Sequence, residues 1–388
     1  MKKNVVALVL TGAMVMTLAG CGSSQDTAAP ASKASSEAAS TAQTTAEAAA
    51  STAASADSAA AAQTTPAASG ASGKTFKVGI VQYVDDASLN QIEENIESEL
   101  DKVGQEKGVT FDYSDYTYNG QADGTVLQQI ASELISDKVD VIIPIATPTA
   151  QIMQSATEEN KIPVVFAAVS DPVGAKLVAS MDAPGANITG TSDALNTEAI
   201  MNLILAAQPD VKKVGLLYST SEDASTQPIA DAKAFLDGKG IAYDPKTGTN
   251  NDEVSSAADA LIADGVDAVF TPTDNTIMTA ELAIYEKLAE AGIPHYCGAD
   301  SFALNGAFVG YGVDYANLGK ETADMAADLL LNGSDPASTP VKTFDNGIVT
   351  VNTETAKTLG LDLSAVEKAF QPLATQIVET TTKQNFGD

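Results

Sequence analysis

Basic residues are scarce in this sequence of 388 residues. It contains 21 lysines and arginines but 51 aspartates and glutamates, which gives a formal net charge of −30. Nucleic-acid binding needs basic patches, so this deficit excludes a nucleic acid as the partner. The single histidine, His295, lies in an apolar run, and the sequence has no metal-spaced cluster, nucleophile elbow or dinucleotide fingerprint. We therefore expect a protein that is not an enzyme and that uses no metal and no cofactor.

Long apolar runs are missing except at the N-terminus, and there the run is short. Lys2 and Lys3 precede an apolar segment that ends at Met16 and is followed by Leu18-Ala-Gly-Cys21. Residues 1–20 are typical of a secretory signal peptide. A transmembrane helix is the alternative, but it would need about 20 apolar residues. Because Leu-Ala-Gly-Cys resembles the bacterial lipobox, we expect Cys21 to carry a lipid that holds the protein on the outer face of the cytoplasmic membrane.

The segment from Gly22 to Gly73 lacks leucine, isoleucine, valine and aromatic residues altogether. A chain of alanine, serine, threonine, glutamine and glycine cannot bury enough apolar surface to offset its ordering entropy. We therefore interpret residues 21–74 as a lipid-anchored flexible tether. Once Cys21 is lipidated, Cys297 is the only thiol, and this excludes an intramolecular disulfide.

The remaining chain, about 315 residues, contains the same series of short apolar strands twice. Each series has a Val-Gly strand, a Val-Asp strand and an Ile-Pro strand. They begin at Lys77, Val139 and Ile162 in the first copy and at Lys213, Val266 and Ile293 in the second. The period is roughly 130 residues, about one domain. Apolar runs that end in turn residues and lead into helices predict parallel strands of an α/β sheet.

This duplication predicts an α/β protein of two domains, whose parallel sheets face each other across a ligand. We place the first lobe at residues 75–190 plus about 306–340, and the second at residues 191–305 plus about 341–388. The turn-rich stretch from Ile188 to Asp193 is interpreted as the first of about three crossovers. Several crossovers make a hinge that allows the lobes to close on a ligand. We expect the protein to be a monomer.

Polar side chains collect where the predicted strands end, which is where parallel α/β sheets bind their ligands. No lysine or arginine is among them, whereas a phosphate or sulfate would normally recruit arginine. The candidate ligand-binding residues are Gln82, Tyr83, Asp85, Thr147, Thr149, Ser170, Asp171, Ser192, Asp193, Ser219, Thr273, Asp274, Asn275, Asp300 and Asp314. The candidates for an apolar wall are Tyr83, Phe166, Tyr218, Tyr296, Phe302 and Tyr311.

These residue types fit a small zwitterion, and an amino acid in particular. The turn from Thr147 to Thr149 precedes a helix, whose N-terminal N–H groups suit a carboxylate. Asp274 in the second copy would meet the ammonium group, with Asp300 as the next candidate. Each of these carboxylates also suits the N-cap of the following helix, and the sequence leaves that alternative open.

Six short stretches carry a resemblance to a known family: Val78-Gly-Ile-Val-Gln-Tyr83, Ile145-Ala-Thr-Pro-Thr-Ala-Gln151, Val169-Ser-Asp-Pro-Val-Gly174, Asn187-Ile-Thr-Gly190, Pro272-Thr-Asp-Asn275 and Tyr311-Gly-Val-Asp-Tyr315. Through them, the chain from about residue 75 to 351 resembles the tryptophan/tyrosine family of ABC transporter substrate-binding lipoproteins. The resemblance implies the type I periplasmic-binding-protein fold, two Rossmann-like three-layer domains that close on a ligand. It also implies that the ligand is an aromatic amino acid.

We therefore expect an extracytoplasmic solute-binding lipoprotein of an ABC importer. Its partners would be the small-molecule ligand and an ABC permease in the membrane with a cytoplasmic ATPase. The sequence leaves open a ligand sensor that presents its closed form to a membrane receptor. It also leaves open a binding protein for another small polar solute.

Overall fold

The structure, a computed structural model, describes residues 73–344 and 346–383. The expected signal peptide and Cys21, with all but the last two residues of the expected tether, lie outside these ranges. The described residues form two seven-stranded sheets, each covered by helices on both faces. None of the helices in these ranges combines the length and the apolar character that a membrane span requires.

Strands are followed by helices in most of the chain up to the first crossover, as the apolar runs predict, although two pairs of strands follow each other without a helix between them. In chain order the elements are β1 (Thr75–Gln82), α1 (Ala87–Lys107), β2 (Thr110–Asp112), β3 (Thr117–Asn119), α2 (Gly124–Ser136), β4 (Val141–Ile145), α3 (Thr147–Thr157), β5 (Val164–Phe166) and β6 (Ile188–Ser192).

The alternation continues after the crossover, and the C-terminal elements are shorter. In chain order they are α4 (Thr197–Ala207), β7 (Lys213–Tyr218), α5 (Asp223–Lys239), β8 (Ala242–Thr247), α6 (Asn251–Asp264), β9 (Ala268–Thr271), α7 (Asn275–Glu290), β10 (His295–Cys297), α8 (Asp300–Leu304), β11 (Val309–Gly312), α9 (Tyr315–Asn332), β12 (Lys342–Thr343), β13 (Ile348–Asn352), α10 (Thr353–Thr358), α11 (Leu363–Phe370) and β14 (Gln376–Thr380). Two single 3₁₀ turns also occur, at Pro336–Ser338 and Gln371–Leu373.

The two sheets repeat one strand order, and this confirms the duplication seen in the sequence. Sheet 1 runs β12-β6-β5-β4-β1-β2, with β3 pairing beside β2 on β1. Sheet 2 runs β14-β13-β11-β10-β9-β7-β8. The Val-Gly, Val-Asp and Ile-Pro strands are β1, β4 and β5 in one sheet and β7, β9 and β10 in the other. Every pairing is parallel except that of β11 with β13, so the strands of each copy end at one common edge.

Helix α1 shows how local sequence builds these layers. Asp86 is its N-cap and accepts from the backbone N–H groups of Ser88 and Leu89. Gly108 ends the helix in the left-handed conformation, with φ of 68°, where glycine carries no steric penalty. The face at positions 89, 92, 96, 100 and 103 is buried and packs on sheet 1 and on α9. Burying each such aliphatic side chain contributes roughly 1.5–3 kcal/mol.

The chain passes between the lobes three times, as expected, but two boundaries differ from those inferred from the sequence. Residues Ile188–Ser192 form a full strand of sheet 1, because their backbone pairs with β5 and β12, and the first crossover therefore starts at Asp193. Strand Val309–Gly312 belongs to sheet 2, since it pairs with β10 and β13. Helix α9 and β12 then return to lobe 1, so the expected segment of residues 306–340 divides between the lobes.

Candidate functional site

A cavity lies between the two lobes, at the edges where the strands of both sheets end. We call this cavity the interlobe cleft. Lobe 1 lines it with Asp86, Ser88, Ala146, Thr147, Ala168 and Ser170. Lobe 2 lines it with Thr273, Asp274, Asn275, Met278, Ser301 and Phe302. Asp193 and Tyr315, from the first two crossovers, also line it, as do Leu89, Ala224 and Ala299.

The N-terminus of α3 opens into this cleft without a side-chain cap. Its N-cap residue, Ala146, makes no capping hydrogen bond, and both Ala146 and Thr147 line the cavity. Uncapped N–H groups and the positive end of the helix dipole together attract anions. Ala146 and Ala168 also hold positive φ angles of 78° and 53°, which cost an alanine strain energy and are concentrated at binding sites in proteins. The lobe 1 side is therefore suited to a carboxylate.

Asp86 provides the opposite kind of group, a buried carboxylate with one free oxygen. Its Oδ1 accepts from the backbone N–H of Ser88 at 3.0 Å and of Leu89 at 3.2 Å. Its Oδ2 is buried and has no partner at hydrogen-bond distance among the described residues, although the Ser301 side chain lies near enough to lower the pKa of Asp86 slightly. Burial, and to a lesser extent the nearby charge of Asp300, raises the pKa of Asp86 to about 7. A buried carboxylate oxygen that lacks a partner is costly, so this atom fits a ligand cation.

Asp274 is placed differently, although it also lines the cleft. Its Oδ1 accepts from the backbone N–H of Ile277 at 3.0 Å. Its Oδ2 accepts from the backbone N–H of Ser219 and the hydroxyl of Ser225, both at 2.6 Å. Each oxygen is thus engaged within lobe 2, where the side chain caps α7 and ties it to β7. This geometry favours the N-cap role for Asp274 and argues against it as the ammonium partner.

A second buried carboxylate lies at the hinge side of the cleft. The hydroxyl of Ser170 donates to Oδ1 of Asp193 at 3.0 Å, and burial raises the pKa of Asp193 to about 6. The phenol of Tyr315 has a pKa raised well above its usual value, by burial first and then by the charges of Asp193, Asp300 and Asp86. The Tyr315 hydroxyl therefore lies within electrostatic range of three carboxylates, and this end of the cleft favours a cation.

The other predicted residues that line the cleft are Thr147 and, on lobe 2, Thr273 and Asn275. Thr273 donates to the carbonyl of Gly298 at 3.0 Å, and Asn275 lies 3.4 Å from a carboxylate oxygen of Glu222. Beside them, Met278 and Phe302 give lobe 2 an apolar surface, and Leu89 adds to it from lobe 1.

Nine predicted site residues do not line the cleft. Three of them act in local turns or caps: Asp85 binds Asn90, Asp171 accepts from the backbone N–H of Gly174, and Asp314 caps α9. Gln82 donates to Asn90 and to the carbonyl of Val84, while Ser219 and Ser192 are buried in their own lobes. Thr149 is fully buried with an unpartnered hydroxyl. The last two are Tyr83 and Asp300. The Tyr83 side chain is half-buried, and the Asp300 carboxylate accepts a hydrogen bond from the Ser88 hydroxyl.

The aromatic candidates are mostly core residues. Phe302 lines the cleft, whereas Phe166, Tyr296 and Tyr311 are buried inside the sheets, and Tyr83 and Tyr218 lie against the cores from outside. Asp86, Ser88, Ser301 and Tyr315 also line the cleft, although the sequence did not predict them as site residues. Two of them carried a signal: Asp86 lies between the end of β1 and the start of α1, and Tyr315 ends one of the six stretches that carry the family resemblance. The two serines carried no comparable signal.

Direct hydrogen bonds join the lobes around the cleft. The Ser88 hydroxyl donates to Oδ1 of Asp300 at 2.5 Å and accepts from the backbone N–H of Ser301 at 3.3 Å. Farther out, the amide of Gln151 donates to Asp223 at 2.7 Å. Among residues 73–344 and 346–383, no group of three or more histidine, cysteine or carboxylate side chains is arranged to hold a metal ion.

Comparison with known proteins places this architecture in a family. Residues 77–369 match the family described as ABC transporter substrate binding protein. A tyrosine-binding protein of Clostridioides difficile is 32% identical over 292 residues, which cover 75% of this chain and 82% of that protein. The chain belongs to the ABC transporter substrate-binding protein family. It is accordingly an extracytoplasmic binding protein and not an enzyme.

Solved structures agree with this assignment. The ABC domain in complex with L-Trp from Streptococcus pneumonia is 30% identical, with a TM-score of 0.71 over 79% of this chain and 100% of that one. The ligand-free, open structure of a Clostridium difficile substrate binding protein with adhesive properties is 31% identical, with a TM-score of 0.60 over the same shares. A solute binding protein from Bacillus halodurans with bound myo-inositol, 14% identical with a TM-score of 0.53 over 75% of this chain and 99% of that one, shares the fold.

Proposed function

We propose that this protein is the lipid-anchored receptor of an ABC importer and captures an aromatic amino acid in the interlobe cleft. One observation carries the proposal. The cleft combines an uncapped helix N-terminus at Ala146 with a buried, unpartnered carboxylate oxygen on Asp86, beside the apolar side chains of Met278 and Phe302. An α-amino acid with an aromatic side chain satisfies all three at once.

In the pose that we propose, the ligand carboxylate accepts from the free N–H groups at the start of α3. The ligand ammonium donates to Oδ2 of Asp86, with Asp193 as a further acceptor at the same end. The aromatic ring packs on Phe302 and Met278, where ring–ring and sulfur–ring contacts contribute beyond the area that they bury. Both ligand charges can be buried because each meets a partner of opposite sign, which offsets the free-energy cost of removing the charge from water.

The relatives support this choice of ligand. The curated relative is a tyrosine-binding protein, and the Streptococcus structure holds L-Trp. The two relatives have nearly the same sequence identity to this chain, 32% and 30%. The cleft of this chain has no lysine or arginine in its lining, which fits a ligand with a single carboxylate better than a polyanion.

The conformation supports capture by closure. At nearly equal identity, the structure is more similar to the L-Trp complex, with a TM-score of 0.71, than to the ligand-free open structure, with 0.60. The interlobe hydrogen bonds of Ser88 and Gln151 are contacts of a closed form. We infer that the lobes open around the three crossovers to admit the ligand and close over it.

The remaining parts of the proposal concern transport. Cys21 is the lipid attachment site, residues 21–74 are the tether, and the closed form delivers its ligand to a membrane permease with a cytoplasmic ATPase. A ligand sensor would use the same cleft but dock on a receptor instead. Transport of radiolabelled L-tyrosine into cells that lack the protein, with and without its re-expression, separates these two functions.

The ligand itself is tested by native mass spectrometry of the protein as purified. We expect a bound species with the mass of tyrosine or tryptophan that denaturation releases. Calorimetric titration of the stripped protein with both amino acids then gives the affinities. If neither amino acid binds to the stripped protein, the proposed ligand class is wrong.

A further inference from the structure

The only histidine of the chain forms a buried pair with a glutamate behind the lobe 2 side of the cleft. His295 is 2% exposed and Glu281 is fully buried. Nδ1 of His295 lies 3.0 Å from Oε1 of Glu281, and Nε2 lies 2.8 Å from Oγ1 of Thr271. None of these three side chains lines the interlobe cleft.

The hydrogen-bond pattern assigns the protons of this pair. Oγ1 of Thr271 is also 2.9 Å from the carbonyl oxygen of Leu217, which can only accept. The threonine hydroxyl has one proton and donates it to that carbonyl, so Nε2 of His295 must carry a proton and donate to Oγ1. A second proton then lies between Nδ1 and Oε1, because a bare ring lone pair facing a buried carboxylate would leave both groups unsatisfied.

This pair contacts one side chain that lines the cleft and lies one helical turn from another. The ring of Phe302 meets the imidazole of His295 edge to face, with centroids 6.3 Å apart and an interplanar angle of 76°. Met278 lies one helical turn before Glu281 on α7, and its sulfur accepts from the amide of Asn305 at 3.7 Å. Together with Thr271, the pair therefore connects α7 to β9 and β10. The imidazole also contacts the ring of Phe302.

We propose that His295 and Glu281 are positioning residues for the ligand: by sharing one proton they hold Phe302 and Met278 where an aromatic ring can pack on them. Neither residue touches the ligand. This role rests on the proposed function, because the proposed function places the aromatic ring of the ligand against the apolar side of the cleft. It predicts that loss of the hydrogen bond between these two side chains weakens binding through the position of α7 and α8.

The proton assignment is tested on the ligand-free protein by NMR with ¹⁵N-labelled histidine. Because the chain has one histidine, a single imidazole is observed. We expect Nε2 to carry a proton and a second, slowly exchanging proton to bridge to Glu281. A ring protonated on Nδ1 alone, or a mixture of tautomers, would overturn the assignment.

The positioning role is tested with two substitutions of Glu281. In Glu281→Gln the amide donates to Nδ1 of His295 and replaces the shared proton, whereas Glu281→Leu fills a similar volume without a donor. We expect the Gln variant to bind L-tyrosine and L-tryptophan within about threefold of the wild-type affinity. The Leu variant should bind both about tenfold more weakly than wild type, because one buried hydrogen bond is lost. Equal affinities of the two variants would refute the role.

Amide hydrogen exchange in the ligand-free protein tests the positioning role without depending on which ligand binds. We expect the amides of Asn305 and Ala307, which close the end of α8, to exchange faster in the Leu variant and at the wild-type rate in the Gln variant. If wild type binds neither amino acid, the proposed function fails, and the exchange rates still decide whether the pair positions α8. Unchanged exchange in the Leu variant would contradict the inference.

Discussion

The hydroxyl of Ser88 on lobe 1 donates a hydrogen bond to Oδ1 of Asp300 on lobe 2, 2.5 Å away. Ser88 lines the interlobe cleft, and the backbone N–H of Ser301 donates to the same hydroxyl at 3.3 Å. One serine thus links the start of α1 to the start of α8 beside the cleft. Because the contact joins the two lobes, opening of the cleft would break it, and we expect it to contribute to the free energy of closure.

Ser88→Ala should therefore favour the open form and weaken ligand binding. A hydrogen bond to a charged acceptor contributes about 1.5–3 kcal/mol, and its loss from the closed form would lower the affinity by about 10- to 150-fold. Titration calorimetry measures the affinity, and small-angle X-ray scattering with ligand measures the radius of gyration. Gln151→Ala is the matched control, since its hydrogen bond to Asp223 also joins the lobes but is exposed. A larger loss in the control than in Ser88→Ala would contradict this account.

Asp86→Asn and Asp274→Asn should separate ligand binding from the internal hydrogen bonds of lobe 2. The ammonium in our pose depends on the unpartnered Oδ2 of Asp86, and loss of one partner of a desolvated charge pair costs roughly 2–5 kcal/mol. Affinity should therefore fall by about 30-fold to several-thousand-fold.

Asp274→Asn should mainly lower the melting temperature, because both Asp274 oxygens bind groups of lobe 2. The asparagine keeps the capping oxygen, but its NH2 group replaces Oδ2 and cannot accept from the Ser219 N–H or the Ser225 hydroxyl. A buried donor left without its acceptor costs about 1–3 kcal/mol. A thermal melt and a calorimetric titration of each variant measure both quantities. The reverse pattern, with binding lost only in the Asp274 variant, would move the ammonium to lobe 2.

Ligand affinity should fall in acid. Burial raises the pKa of Asp86 to about 7 in the ligand-free protein, whereas an ammonium at Oδ2 would lower it in the complex. Binding then releases a proton between these two pKa values. Affinity is full above pH 7 and falls below it, by at most about tenfold for each pH unit until Asp193, whose pKa is about 6, also takes up a proton. Titrations at pH 8, 7, 6 and 5 check the slope, and an affinity that stays constant across this range would rule out Asp86 as the charged partner.

The membrane anchor depends on one residue. Because Cys21 ends a lipobox-like signal, Cys21→Ser should release the protein from the membrane fraction into the soluble fraction. Cell fractionation followed by a high-salt wash measures this, with the wild-type protein as control. A Cys21→Ser protein that stays with washed membranes would show that lipid is not the anchor.

The duplication and the parallel sheets could be predicted because apolar strands and the turns after them are local signals. Val139 and Val266 each lie two residues before equivalent strands of the two sheets, β4 and β9. The strand from Ile188 escaped prediction because its Thr-Gly-Thr-Ser sequence is polar. It is buried by β5, β12 and α9, which are distant in sequence.

The site was harder to predict than the fold, since a carboxylate at a strand end serves equally well as a cap or as a ligand partner. Asp274 and Asp86 are both N-caps, and the difference lies in their second oxygen. Oδ2 of Asp274 has two donors from lobe 2, whereas that of Asp86 has none. That difference depends on neighbours that only the folded structure brings together.

The central claim, that the cleft binds an aromatic amino acid by both of its charges, is tested most directly with ligand analogues. Tyramine lacks the carboxylate of L-tyrosine, and 3-(4-hydroxyphenyl)propionate lacks its ammonium. Titration calorimetry with the three compounds should give measurable binding of L-tyrosine and at least about 30-fold weaker binding of each analogue, because each leaves one buried partner unpaired. An analogue that binds as tightly as L-tyrosine would contradict the account.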